Sequence, residues 1–126
     1  MCHQTVSLVA RQLEEAGIPT VVMGAAKDIV ETVGVPRFVF SDVPLGNSAG
    51  LPHDEESQRT VLELALTTLE VAPGPRTTVQ SPIRWPGDPH AWKRDHMNLS
   101  GMDEETAAKA REAFQEQKRR AGLSSP

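Results

Sequence analysis

The feature that most constrains the fold is an alternation of helix-like and strand-like segments within the first 41 residues. Residues 18–24 form a short, β-branched and almost wholly apolar run, typical of a strand covered on both faces of a parallel sheet. Residues 37–41 repeat this pattern, and each run follows a segment with helical periodicity. The order helix, strand, helix, strand predicts a right-handed parallel α/β unit of the Rossmann-like or flavodoxin-like class.

Three amphipathic helices are predicted around these strands. The first runs from His3 to Ala16, the second covers residues 25–33, and the third follows an N-cap at Asp54 and runs to about Leu69. We expect their apolar stripes to face the core. The stripes comprise Val6, Val9, Ala10 and Leu13 in the first helix and Val61, Leu62, Ala65, Leu66 and Leu69 in the third.

The length of 126 residues suits a single domain with a modest core. Within it we distinguish an α/β core (1–72), an extended arm rich in proline and tryptophan (73–102), and a C-terminal helix with a tail (103–126). The arm shows little periodicity and is expected to be irregular. A long loop of this kind is functional, partner-binding or mobile, and Trp85 and Trp92 make a subunit contact plausible.

The net charge of −4 gives no general electrostatic reason to expect nucleic acid or an anionic membrane as partner. No apolar run has the length of a membrane span, and the N-terminus lacks a signal-peptide pattern. One cysteine excludes an internal disulfide. These features together predict a cytoplasmic protein.

The order of elements opens on a helix, whereas a parallel α/β unit normally opens on a strand. We therefore expect a strand to be missing upstream of Met1. Cys2 then lies where a first strand would pass into the first helix, and unpaired N–H groups there favour a thiolate. The competing interpretation is an unremarkable cysteine in a frayed terminus.

Cys2 and His3 are the candidate catalytic residues, with His3 supplying a nearby positive charge or protonating a leaving group. Candidate substrate-binding residues come from the first helical turn and from the loop after the second strand: Gln4, Thr5, Asp42, Gly46, Asn47 and His53. Structural roles compete at most of these positions. His3 is otherwise an exposed first-turn residue, Thr5 a cap, Asp42 a strand end, and Asn47 part of a turn.

A metal site is the competing chemistry, since Cys2, His3, His53, His90 and His96 are all possible ligands. They lack zinc-ligand spacings such as CxxC or HExxH, so we expect no metal. The glycines likewise do not form a dinucleotide or phosphate-binding signature.

Several separate motifs within residues 2–84 resemble the selenoprotein B family of glycine, sarcosine, betaine and D-proline reductases, especially its short members. They include Cys2-His3-Gln4-Thr5-Val6, Gly17-Ile18-Pro19-Thr20, Asp28-Ile29-Val30, Val35-Pro36-Arg37 and Pro44-Leu45-Gly46-Asn47. The resemblance implies a selenocysteine or cysteine shortly before Cys2, in the turn after the first strand. Because selenocysteine is encoded by a codon ordinarily read as stop, the hypothesis is a chain shortened to an internal methionine.

What the resemblance implies for function is a reductase that cleaves a carbon–heteroatom bond of a small molecule through a redox pair. Cys2 would be the second, resolving member of that pair. No cofactor is expected beyond the upstream selenocysteine, and an electron-donating thiol protein is a possible partner. The alternative function is a non-catalytic binding or assembly subunit with an α/β scaffold. In either case the open sheet edge left by a missing strand predicts a homo-oligomer.

Overall fold

The computed structural model describes residues 2–88 and 91–96, together with Ala108, Lys109, Glu112 and Glu116. The chain divides into two compact units, residues 1–87 and 88–126. The predicted C-terminal helix (103–126) lies outside the described residues except at those four positions, which are helical.

The first unit is an α/β unit built around a parallel sheet, as predicted. Its elements are α1 (Cys2–Glu15), β1 (Val22–Gly24), α2 (Lys27–Val33), β2 (Arg37–Phe40), α3 (Glu55–Val71) and β3 (Thr77–Gln80). The strands lie in the order β1-β2-β3, with Val22 beside Phe38 and Phe38 beside Thr78. The second unit contains α4 (Ala91–His96).

The expectation that residues 73–102 are irregular is wrong at two places. This segment contains β3, which pairs with β2 along its whole length, and α4. The sequence of β3 explains the strand, because Thr77, Thr78 and Val79 are consecutive β-branched residues. Prolines flank this short run, and the rest of the segment has the composition of a loop. The sequence pattern therefore did not indicate a strand here.

Local signals set the helix boundaries. Asp54 caps α3, since its Oδ1 accepts a hydrogen bond from the N–H of Ser57 at 3.2 Å, as the sequence predicts. Helix α2 ends at Gly34, whose φ of +84° is in the left-handed region and whose N–H donates to the carbonyl of Val30. A left-handed C-cap of this kind favours glycine because it lacks a Cβ.

Alternating side chains of the sheet supply two separate cores. On one face, Val22 and Phe38 pack with Ala10 of α1 and with Val30 and Val35. On the other face, Val39 packs against Val61 and Ala65 of α3. Burial of one such large apolar side chain contributes roughly 1.5–3 kcal/mol, so each of the large residues in these two clusters stabilises the unit measurably.

The expected inward stripes of α1 and α3 are only partly correct. In α1 the buried residues are His3, Ser7 and Ala10, while most of the predicted stripe faces outward. In α3, Val61, Ala65 and Thr68 are buried. The apolar residues left exposed on these two helices are Val6, Leu8, Val9, Leu13, Leu62, Leu66 and Val71.

An ion pair joins the end of α1 to the start of β2. Arg37 Nη1 lies 2.6 Å from Oε1 of Glu14, which also accepts hydrogen bonds from the N–H and the hydroxyl of Thr20. Partial burial of this carboxyl favours a higher pKa, but the hydrogen bonds from Thr20 and the charge of Arg37 outweigh it. The pKa of Glu14 is therefore lowered from 4.5.

Among the described residues, no helix combines the length and the apolar character that crossing a membrane requires.

Candidate functional site

The carboxyl ends of the parallel strands place two segments at one edge of the sheet, which we call the carboxyl edge. Ala25 and Ala26 follow β1 there, and the loop of residues 41–54 follows β2. Helix α1 also begins at this edge, because His3 in its first turn contacts the backbone of Ala25 and Ala26. The start of α1 and the loop after β2 therefore share the edge where parallel α/β proteins commonly bind ligands.

His3 is buried rather than an exposed first-turn residue. Its Nε2 accepts hydrogen bonds from the N–H groups of Ala25 at 3.0 Å and Ala26 at 3.3 Å. Because Nε2 is an acceptor in both bonds, the proton of the neutral imidazole lies on Nδ1. The backbone after β1 thus assigns the tautomer of this histidine.

Nδ1 of His3 lies 3.5 Å from Sγ of Cys2, which has a free, exposed thiol. With the proton on Nδ1, the imidazole N–H is the donor in this contact and the sulfur is the acceptor. Nε2 already accepts hydrogen bonds from two backbone N–H groups. This nitrogen is therefore not available to protonate a leaving group. A neutral hydrogen-bond donor is therefore the role that this geometry favours for His3.

Gly24 provides the space for the imidazole. A Cβ at this position would lie 3.0 Å from Cδ2 of His3 and 3.0 Å from Cε2 of Phe38. Both distances are shorter than ordinary carbon–carbon contacts, so a larger residue would displace one ring. Three small residues in a row at the end of β1, Gly24, Ala25 and Ala26, were the sequence signal that could have indicated a close approach here.

The remaining predicted site residues of the first helical turn, Gln4 and Thr5, are exposed. In the loop after β2, Asp42 is half-buried and His53 is exposed with φ of +58°. The structure thus distributes these predicted residues along the carboxyl edge.

Gly46 and Asn47 do come together, in the wall of a cavity of about 400 Å³. The amide nitrogen of Asn47 donates to the carbonyls of Pro44 at 3.2 Å and Leu45 at 3.4 Å, so this side chain also holds its own turn. Sequence reasoning missed the other residues that line the cavity: Met23, Ala49, Gly50, Pro52, Gln58 and Leu62. They come from β1, the loop and α3, and no single pattern links them along the sequence.

The described residues contain no group of three or more His, Cys, Asp or Glu side chains that could hold a metal ion. Two of the possible ligands cannot be placed, because His90 and the side chain of His96 lie outside the described part.

Comparison with curated proteins identifies a similar reductase subunit. Over 84 residues the chain is 34% identical to D-proline reductase subunit gamma of Acetoanaerobium sticklandii, and this covers 67% of the chain. The chain is a distant relative of that subunit. The match spans 35% of the relative's length. It supports a distant relation of this chain to the glycine and proline reductases. No protein-family profile matches the sequence. No solved structure matches it either.

Proposed function

We propose that this chain acts as part of a thiol-dependent reductase for a small molecule, with Cys2 as a redox group. The observation that carries the proposal is the contact between Nδ1 of His3 and Sγ of Cys2 at 3.5 Å, with Nε2 held by two backbone N–H groups. A cysteine that acts as a redox group needs an accessible sulfur, and the Cys2 thiol is exposed while the imidazole N–H lies beside it. The relation to a D-proline reductase subunit supports reductive chemistry.

The proposed reaction uses Cys2 as the second member of a redox pair. The first member is a selenol or thiol that this sequence does not contain, since Cys2 is its one cysteine. It attacks the substrate at the carbon–heteroatom bond, which breaks. The adduct joins the substrate carbon to selenium or sulfur, and the heteroatom leaves with a proton. The Cys2 thiolate then attacks that selenium or sulfur, the bond to carbon breaks, and the carbon keeps the electron pair and takes up a proton. A selenium–sulfur or sulfur–sulfur bond forms, two electrons and two protons pass to the cleaved substrate, and an external dithiol reduces the pair again.

The cavity beside Gly46 and Asn47 is the proposed substrate subsite. Apolar walls from Met23, Pro52 and Leu62 would contact the carbon skeleton of a small molecule, and Asn47 would contact its polar groups. D-proline, the substrate in the relative's name, is a small ring with a polar amine and carboxylate, and it is the first compound to test.

The reactivity of Cys2 tests the contribution of His3. We expect the folded chain to react with iodoacetamide at neutral pH about five to ten times faster than the same chain in denaturant, because a net hydrogen-bond contribution of about 1 kcal/mol corresponds to a rate change of this size. His3→Phe should abolish this difference. His3→Asn should retain part of it, because the amide of asparagine can also donate to the sulfur. Gln12→Ala is the control, since Gln12 is exposed on the same helix and lies beyond its first turn.

Equal rates in the folded and denatured chain would contradict the proposal. The redox pair itself is tested by turnover, in a longer protein that carries this chain together with a first redox residue, a selenocysteine or cysteine. The longer protein should then reduce D-proline with a dithiol donor, and Cys2→Ser should abolish turnover. Unchanged turnover of Cys2→Ser would favour the alternative function, a non-catalytic assembly subunit.

A further inference from the structure

The wall of the cavity beside Gly46 contains two side-chain amides, those of Asn47 and Gln58. The nitrogen of Asn47 donates to the carbonyl oxygens of Pro44 and Leu45, which accounts for both of its N–H bonds. Only the nitrogen end of the amide can make these contacts, because both partners are acceptors. What the side chain of Asn47 can still offer to a ligand is therefore its oxygen, Oδ1.

Gln58 is oriented in the same way by the end of the loop. Its Nε2 donates to the carbonyl of Leu51 at 2.9 Å, which again identifies the nitrogen end of the amide. This bond uses one of the two N–H bonds of Gln58. The two amides of the cavity thus leave two oxygen acceptors, Oδ1 of Asn47 and Oε1 of Gln58, and one N–H donor for a ligand.

The contact between the loop and the start of α3 holds these amides in place. A Cβ at Gly50 would lie only 2.6 Å from the Cα of Gln58, so the loop backbone packs directly on the helix. The N–H of Gly50 donates to the carbonyl of Asn47 at 3.2 Å, and the N–H of Leu51 donates to Oγ of Ser57 at 2.9 Å. Groups that the fold already holds lose less conformational entropy when a ligand binds.

The charge near the cavity favours a cation over an anion as ligand. Among the described residues that line the cavity, no side chain is charged. Residues 54–59, at the start of α3, carry three carboxylates and one arginine. A protonated amine supplies N–H donors and a positive charge together, and charge-assisted hydrogen bonds are stronger than neutral ones.

We propose that this cavity recognises its substrate by a protonated primary or secondary amine, which donates to Oδ1 of Asn47 and Oε1 of Gln58. The inference rests on the proposed function, because it takes the cavity as the substrate subsite. It goes further in naming the group that the site selects. A quaternary ammonium, which has a charge but no N–H, should bind weakly.

Four small ring compounds separate the chemistry that the cavity recognises. Pyrrolidine is a protonated secondary amine at neutral pH, and N,N-dimethylpyrrolidinium keeps the charge without an N–H. Cyclopentanol is a neutral donor, and cyclopentanecarboxylate is an anion. Titration of the full chain with each compound, followed by NMR of the side-chain amides of Asn47 and Gln58, gives the dissociation constants. We expect pyrrolidine to bind at least about tenfold more tightly than each of the others, since a hydrogen bond from a charged group contributes on this scale.

Two substitutions at Gln58 test whether the oxygen is the group that binds. Gln58→Leu and Gln58→Glu both lose the bond to Leu51, but glutamate keeps oxygen acceptors and adds a negative charge. Gln58→Leu should weaken pyrrolidine binding about tenfold, whereas Gln58→Glu should bind it at least as tightly as the wild type. Gln12→Leu is the matched control, because Gln12 is an exposed glutamine of α1 and should leave binding unchanged. If either Gln58 variant fails to fold, the ligand series on the wild type still gives the test.

Equal affinity for pyrrolidine and N,N-dimethylpyrrolidinium would overturn the inference, as would the absence of any response at the two amides. A folded Gln58→Glu variant that binds pyrrolidine as weakly as Gln58→Leu would also overturn it, because the N–H rather than the oxygen would then be the group in use. Failure of the proposed function is a different result, since it is measured by the reactivity and turnover of Cys2. Cys2→Ser removes the redox group and should leave the preference for pyrrolidine unchanged.

Discussion

At the residue scale, the sequence located Cys2 but not the environment of His3. A single cysteine at the start of an amphipathic pattern is visible in the sequence, and the structure places it in the first turn of α1. The contacts of His3 join residues 22 and 23 positions apart, and no local pattern reports them. The orientation of the imidazole depends on the backbone after β1, which only the folded chain brings near.

Replacing Gly24 with alanine should disturb this environment directly. The added Cβ would lie 3.0 Å from the rings of His3 and Phe38, so we expect a loss of about 1–3 kcal/mol in the free energy of unfolding. Displacement of the imidazole should also slow alkylation of Cys2 in the folded chain. Urea denaturation and the iodoacetamide rate measure the two effects.

Gly74→Ala is the matched control for Gly24→Ala, since a Cβ at Gly74 meets no atom within 4 Å. It should leave both measurements nearly unchanged. A Gly24→Ala variant with native stability and a native alkylation rate would show that the imidazole does not depend on this glycine.

At the element scale, the strands whose residues alternate with helical segments were predictable, whereas β3 was not. Strand β1 and strand β2 stand out because each follows a helical pattern. Strand β3 lies among prolines, and its pairing with β2 depends on a partner roughly 40 positions earlier in the chain. Periodicity also failed to say which side of α1 is buried, because Ser7 and His3 carry no apolar signal.

The carboxyl ends of β2 and β3 are joined by a hydroxyl pair that offers a second test. Ser41 Oγ and Ser81 Oγ lie 2.7 Å apart, and both residues are buried. Replacing either serine with alanine leaves the other hydroxyl buried without this partner, so each single variant should lose about 1–3 kcal/mol. The double variant should lose much less than the sum of the two. Urea denaturation of the four proteins gives the coupling free energy, and additive losses would contradict the pairing.

At the scale of the whole molecule, the order of helices and strands predicted the α/β fold because each element has its own local signal. The predicted domain boundaries are not tested, and the predicted C-terminal helix is described at four positions only. The sequence also did not predict which charged residues form an ion pair in the folded chain. The pairing of Glu14 with Arg37 depends on how the end of α1 meets the start of β2.

The lowered pKa of Glu14 predicts how stability responds to acid. Its folded pKa is below the ordinary value of 4.5, so the ionised carboxylate stabilises the fold above that pH. This contribution should be lost as the pH falls from 4.5 through the folded pKa. Glu14→Gln should cost about 1 kcal/mol at neutral pH, a modest value because the pair is partly exposed. Wild type and variant should converge in acid.

Urea denaturation from neutral to acidic pH measures this convergence. Glu15→Gln is the control, because Glu15 is the exposed neighbour on the same helix. A stability difference between wild type and Glu14→Gln that persists unchanged in acid would contradict the assignment to the ionised carboxylate.

The left-handed turn at Gly34 has a consequence for how this sequence can diverge. A Cβ there would lie 2.8 Å from Nη2 of Arg76, which itself has a positive φ of +61°. The guanidinium of Arg76 thus lies close to the left-handed turn that ends α2. A side chain at position 34 would require the guanidinium of Arg76 to move. We therefore expect substitutions at positions 34 and 76 to occur together in related sequences.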